Sequence, residues 1–305
     1  MSGAVRALLA GLVDYAGLFP PAGLPMEETA ANYAAYHRSH ERWMLSRLVA
    51  PSARLAELAA AVGGLPAAMR GAGPWEVSAL VGTDTTADVR AALAVEAAHG
   101  SLLAVRSFET RAGSVTRVAE LRALVPSRCE LYCELPLGVD LPALLSGVRS
   151  AGARAKIRAG GVVATDIPST DAVLAFLEAC LVERVSFKAT AGLHHPVRGP
   201  APLTYEPGSA RATMFGHLNV VLAAAALWAG RDREEARALL EETDRAGLAF
   251  EADAVRWGGS RLTSAELAAA RRDFVLAIGS CSFSEPVAEL RDLGAELDGA
   301  ATEGA

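Results

Sequence analysis

Short apolar segments rich in Val, Leu and Ala alternate with longer helical patterns at the spacing of repeated βα units along most of this 305-residue chain. That rhythm constrains the fold more than any other feature, because strands separated by helices must run parallel and share one sheet. Six strands are expected, at Arg42 to Val49, Glu76 to Gly82, Leu102 to Phe108, Cys129 to Leu135, Ala153 to Arg158 and Val185 to Thr190. Between them Ser52 to Val62, Thr86 to Ala98, Val115 to Leu124, Leu141 to Ser150 and Thr170 to Leu181 read as amphipathic helices. A (β/α)8 TIM-type barrel follows, completed by two further strands in the tail. There Leu248 to Trp257 reads as a seventh strand or a small hairpin, and Thr263-Ser264-Ala265-Glu266 as a capping box. Phe274 to Ser280 reads as the eighth strand or the last turns of that helix, so an irregular last quarter is the alternative. Residues 1–41 read as a helical arm or cap built around Pro20-Pro21, residues 42–294 as the barrel, and residues 295–305 as a disordered tail.

Charge and hydropathy narrow the partners. A net charge of -6 with 51% hydrophobic residues gives no reason to expect nucleic acid or an anionic membrane surface, since both attract basic proteins. The apolar run Leu218 to Ala229 is too short to span a bilayer and suits a buried helix, or, with Glu234 to Thr243, a homo-oligomer interface. Asp14 interrupts the early apolar run and no cleavage site follows it, so a cytoplasmic protein is expected. Four cysteines in such a length make no disulfide framework. Gly63-Gly64 and Gly160-Gly161 lack the spacing of a nucleotide-binding loop, so no cofactor is expected. A small, anionic molecule held by local arginines is the expected ligand.

The basic residues themselves are informative. Of 29 Lys and Arg, only Lys156 and Lys188 are lysine, and glutamine is absent, as in a composition biased toward GC-rich codons. In a chain that uses Arg wherever positive charge suffices, a retained lysine marks a place where a compact, deprotonatable amine is needed.

Strand alternation then aims the charges. With Val185, Phe187 and Ala189 turned to the helices, Lys188 and Thr190 face the barrel axis. Ala155 and Ile157 outside leave Lys156 and Arg158 inside, and Cys129, Leu131 and Cys133 outside leave Glu134 inside. Leu103 and Val105 outside leave Arg106 inside. Two amines side by side, with Arg106 and Arg158 near, are expected to lower an amine pKa by like-charge repulsion and desolvation. A neutral lysine attacks carbonyls or acts as a base, and the arginines grip a carboxylate or phosphate. Glu134 would shuttle the proton.

Two more clusters belong to the barrel mouth. His194 and His195 follow Lys188 on a Gly/Pro-rich loop and suit acid-base work. With Glu134 they would alternatively hold a catalytic metal. Ser280, Cys281 and Ser282 precede a helix starting near Ser284 and suit an anion nest.

Phe187-Lys188-Ala189-Thr190-Ala191-Gly192 resembles the Lys-x-Ser/Thr-x-Gly stretch on the sixth strand of deoxyribose-phosphate aldolase and its class I aldolase relatives. The resemblance implies a barrel that works through a lysine imine, with Lys188 forming it. Those aldolases are similar to one another in carrying a further lysine on the seventh strand, whereas here the second amine falls on the fifth. Asp14 to Pro21 (DYAGLFPP) with Gly279 to Phe283 (GSCSF) is also similar to an uncharacterised bacterial family, which implies no reaction. Together these readings predict a lysine-dependent lyase or isomerase acting on a small oxygenated carbonyl compound. A metal-dependent hydrolase, lyase or isomerase, and a barrel that binds without turnover, are the alternatives.

Overall fold

A computed structural model describes residues 2–138 and 140–297. In chain order its strands are β1 (Val13–Tyr15), β2 (Leu45–Pro51), β3 (Trp75–Leu80), β4 (Leu103–Arg111), β5 (Glu130–Glu134), β6 (Arg154–Arg158), β7 (Phe187–Thr190), β8 (Gly199–Pro202), β9 (Arg211–Met214), β10 (Ala249–Phe250), β11 (Ala254–Trp257), β12 (Ser260–Thr263) and β13 (Val275–Ser280). Strands β1 to β7 and β13 form a closed, all-parallel barrel, in which β13 pairs with both β7 and β1. The (β/α)8 architecture expected from the alternation is therefore present.

Five connecting helices, Leu55–Gly64, Thr85–His99, Val115–Leu124, Leu141–Ser150 and Thr170–Glu183, follow β2 to β6. The last four begin with one device: Asp84, Ser114, Asp140 and Ser169 accept a bond from a backbone N–H three residues on. Such caps satisfy amides the helix cannot. Each helix turns its apolar stripe to the barrel, as Leu144, Leu145 and Val148 do in the fourth.

The structure departs from the sequence reading at both ends. Residues 1–41 are not a detachable arm, because they carry β1, the strand that closes the barrel between β13 and β2. Three residues are too few for alternation to show, and the buried Asp14 at its centre disguises it as an interrupted run. Every expected strand consequently moves up by one: Lys156 lies on the sixth and Lys188 on the seventh. At the other end Ala295 and Leu297 are buried, and the Leu297 carbonyl accepts the Trp43 indole N–H at 3.2 Å. These residues pack against the fold; the rest of the expected tail, 298–305, lies outside the described residues.

The last quarter is decorated. Between β7 and β13 the chain makes the β8–β9 hairpin, a helix His217–Trp228, a helix Arg233–Glu241 and the small antiparallel sheet β10–β11–β12. Leu248 to Trp257 thus contributes to that sheet rather than to the barrel, and Phe274 to Ser280 supplies the closing strand. Residues His217 through Leu227 are all buried within the chain, so the helix offered as an oligomer surface has no apolar face to spare. Among the described residues no helix is long and apolar enough to cross a membrane.

Candidate active site in the barrel

The barrel interior is filled with paired charges rather than layers of branched apolar side chains. Near the N-terminal ends of the strands, Glu130 on β5 accepts from Arg47 on β2 at 2.5 Å and pairs with Arg154 on β6 at 2.8 Å. The Tyr132 hydroxyl, which donates to Glu130 at 3.2 Å, completes that floor.

Above it lies the centre of the site. Alternation and register bring Glu134, Lys156 and Lys188 to one level, since Glu134 on β5 pairs with Lys156 and Lys156 with Lys188. Glu109 on β4 joins the two lysines: one oxygen is 2.9 Å from Lys156 Nζ, and the other accepts a short bond from Lys188 Nζ. Lys188 Nζ also reaches Asp14 Oδ2 on β1 at 2.7 Å, and Lys156 Nζ reaches Glu134 Oε2 at 3.0 Å. The Ser78 hydroxyl on β3 donates to Glu109 at 2.6 Å and in turn accepts from Ser107. Asp14 Oδ1 accepts the Arg47 backbone N–H. Three carboxylates therefore enclose two amines, in a space only 1% exposed at Glu109 and Lys188.

This arrangement reverses the expected electrostatics. Burial alone would lower the Lys188 amine, but Asp14 and Glu109 more than offset it and hold the pKa above its ordinary value. Burial alone would raise Glu109, yet Lys188, Lys156 and the Ser78 hydroxyl keep it well below the carboxylate range. Glu134 behaves likewise, its burial outweighed by Lys156, Arg158 and Arg111. Lys188 is an ammonium locked in a cage, not the depressed amine that two neighbouring lysines suggested.

A cavity of about 210 Å³ opens above the cage at the C-terminal ends of the strands, where barrel enzymes place their chemistry. Lys156 and Glu109 form part of its floor, Thr190, His194 and Cys281 part of its wall, and Phe19, Pro20 and Pro21 its apolar side. Lys188 does not line it. Arg158 and Asp166 are shared with a second cavity of about 580 Å³ that Arg111 and Glu134 also border. Two loops meet tightly at the rim: Gly192, at φ +71°, packs on Gly160, where a Cβ on either would sit 3.1 Å from the other's Cα.

Of the expected site residues, Lys156, Arg158, Thr190, His194 and Cys281 meet at this cavity, and Glu134 and Lys188 stand just behind it. Arg106 does not. Between Val77↔Val105 and Ser78↔Ser107 the register of β3 and β4 slips by one residue, so Arg106 occupies a bulge and pairs, half exposed, with Glu76 at 2.9 Å. The bulge resets the phase of β4 and hands the interior positions to Ser107, Glu109 and Arg111. His195 turns from the cavity to pair with Glu289 at 2.5 Å. His194, His195 and Glu134 are not gathered, and among the described residues no group of three or more His, Cys, Asp or Glu could hold a metal ion. Ser280 is buried and accepts the Ser282 N–H, while Ser282 accepts the Glu285 N–H. Those amides, expected to face an anion, are bonded within the turn.

Sequence reasoning missed Asp14, Glu109 and Arg111. Glu109 was out of reach, because alternation continued from the outward Leu103 and Val105 turns it to the helices, and only the bulge brings it inside. No family model matches the chain, and no curated protein matches it.

Proposed function

We propose that this protein is a barrel enzyme in which Lys156 acts as the reactive amine on a small, anionic, oxygenated carbonyl compound, in lyase or isomerase chemistry. The observation that carries this reading is the division of labour between the lysines. Lys156 reaches the cavity floor, whereas Lys188 does not line the cavity and is held by Glu109 and Asp14. Lys188 supplies a fixed positive charge that keeps the carboxylates ionised and in place. Lys156 passes its proton to Glu134, and its freed lone pair attacks the carbonyl carbon to give a carbinolamine; Glu134 returns the proton to the hydroxyl, the C–O bond breaks and water leaves, so that an iminium forms. Alternatively the free amine takes a proton from a neighbouring carbon.

The strand count supports the same assignment. The class I aldolases that the Lys-x-Thr-x-Gly stretch resembles carry the imine lysine on the sixth strand and a further lysine on the seventh. With β1 counted, Lys156 and Lys188 hold those two places. The stretch that carries the resemblance itself lies on β7, so position and motif point to different lysines, and access to the cavity favours Lys156. Arg158, between the two cavities, and Arg111 beside it are placed to take the anionic group.

Intact-mass spectrometry after incubation with pooled aldehydes, ketones and keto acids plus borohydride tests the proposal. Wild type is expected to gain a mass that names the substrate class, and a folded Lys156→Ala variant to gain none. An adduct of the same yield in Lys156→Ala would overturn it.

A further inference from the structure

Lys156 needs a partner on the far side of the substrate to move protons at carbon, and the cavity wall offers a group the lysine chemistry has not used. His194 and Cys281 come from the loops after β7 and β13, and both line the cavity above Lys156. The His194 Nδ1 lies 3.3 Å from Cys281 Sγ. On its other side Cys281 Sγ lies 3.6 Å from the Tyr205 hydroxyl, which donates to Glu285 at 2.7 Å. Tyr205 belongs to the segment joining β8 to β9, so this hairpin reaches over the mouth to meet the pair. Of the other two histidines nearby, His195 pairs with Glu289, and His217 is fully buried at the start of its helix, outside the cavity lining.

Resting on the Lys156 reading, we infer that His194 is the base that moves the proton from the substrate carbon next to the imine, and that Cys281 is its positioning residue, its sulfur accepting a hydrogen bond from Nδ1–H so that Nε2 carries the free lone pair. With Lys156 joined to the carbonyl carbon as an iminium, the adjacent C–H bond breaks. Its proton goes to Nε2, and its electron pair becomes the carbon–carbon double bond of an enamine. The positive charge leaves the iminium nitrogen and appears on the imidazolium. Reversal returns the proton to carbon, or delivers it to an oxygen formed in a later step.

The surroundings suit that role. Burial, with a smaller contribution from His195, lowers His194 to about 4, so the ring rests neutral and the imidazolium formed during turnover is a strong acid that readily returns its proton. Burial raises Cys281 to about 11, so the sulfur is a neutral thiol that orients the ring without drawing off its charge. A side chain held by a neighbour in one tautomer is pre-set for proton transfer.

The test uses acetaldehyde, acetone, hydroxyacetone and pyruvate. For each compound that borohydride traps, exchange of its α-hydrogens in D2O is followed by nuclear magnetic resonance and expressed per trapped lysine. His194→Asn is expected to slow this normalised exchange about 10²- to 10⁴-fold. Cys281→Ala slows it less, and Cys281→Ser, which restores an acceptor, recovers it. Exchange at the wild-type rate in His194→Asn overturns the inference while leaving the lysine reading intact. If the Asn variant does not fold, the cysteine pair decides: wild-type exchange in Cys281→Ala rejects the positioning role. Absence of any trapped adduct in wild type removes the lysine reading and this inference with it.

Discussion

Glu109 neutralises two ammonium groups at once, which makes it the residue whose loss costs most. Glu109→Gln keeps the volume but leaves Lys156 and Lys188 facing each other with less compensation. Removing one member of a buried ion pair typically costs about 3–5 kcal/mol, so the urea midpoint of this variant should fall by a corresponding amount with an unchanged slope. The same charges set the acid and alkaline limits. Glu109 and Glu134 are depressed below their ordinary 4.5, so their stabilisation is complete above that pH and is lost as pH falls through the folded values. Lys188 is raised above 10.5, so its contribution holds below that pH and is lost as pH rises through its folded value. His217, kept neutral by burial at about 4 against an ordinary 6.5, begins to destabilise the fold as pH drops below 6.5. Thermal denaturation across pH should therefore show the highest melting temperatures between about 6.5 and 9, a shallow decline below 6.5 and a steeper one below 4.5, and an alkaline decline that starts near 9, because the buried Cys281 thiol stays neutral up to about 11 in the fold but ionises at its ordinary 9.0 once unfolded. At this scale the lysines were legible because the composition isolates them. Asp14 and Glu109 were not, since acidic residues are common in the chain and nothing local marks these as partners.

The elements that shape the mouth are the loops after β6 and β7 and the β8–β9 hairpin. Gly192 combines a left-handed backbone with contact against Gly160 Cα and the Met214 methyl, both 3.1 Å from where a Cβ would stand. Gly192→Ala should lower the melting temperature by the equivalent of about 1–3 kcal/mol and weaken borohydride trapping, because the loops must part at the rim of the cavity. Loss of trapping without loss of stability would show that the contact serves the site alone. Connecting helices were legible to within a few residues, since their caps and apolar stripes are local signals. The bulge in β4 was not: a single extra residue is set by how β3 and β4 pair across the barrel, and it moved Arg106 out and Glu109 in. The hairpin that brings Tyr205 to Cys281 lies in a Gly/Pro-rich stretch whose sequence announces a loop and not its path.

For the whole molecule, closure depends on a three-residue strand. A chain lacking residues 1–23 would lose β1, the Asp14 partner of Lys188 and the edge that β2 and β13 both need. Such a protein is expected to be insoluble or to lack cooperative unfolding by circular dichroism, whereas a barrel with a detachable arm would fold without it. The alternation of strands and helices revealed the barrel, but the numbering of its strands depended on β1, too short to carry a periodic signal. That miscount concealed the positions of the two lysines on neighbouring sixth and seventh strands. Reactivity rests on a division in which Lys156 faces substrate while Lys188 is a caged charge. Because the chain has only these two lysines, peptide mapping of the borohydride-trapped wild-type protein tests it directly. The adduct is expected on Lys156 with Lys188 unmodified; an adduct on Lys188 would contradict that division.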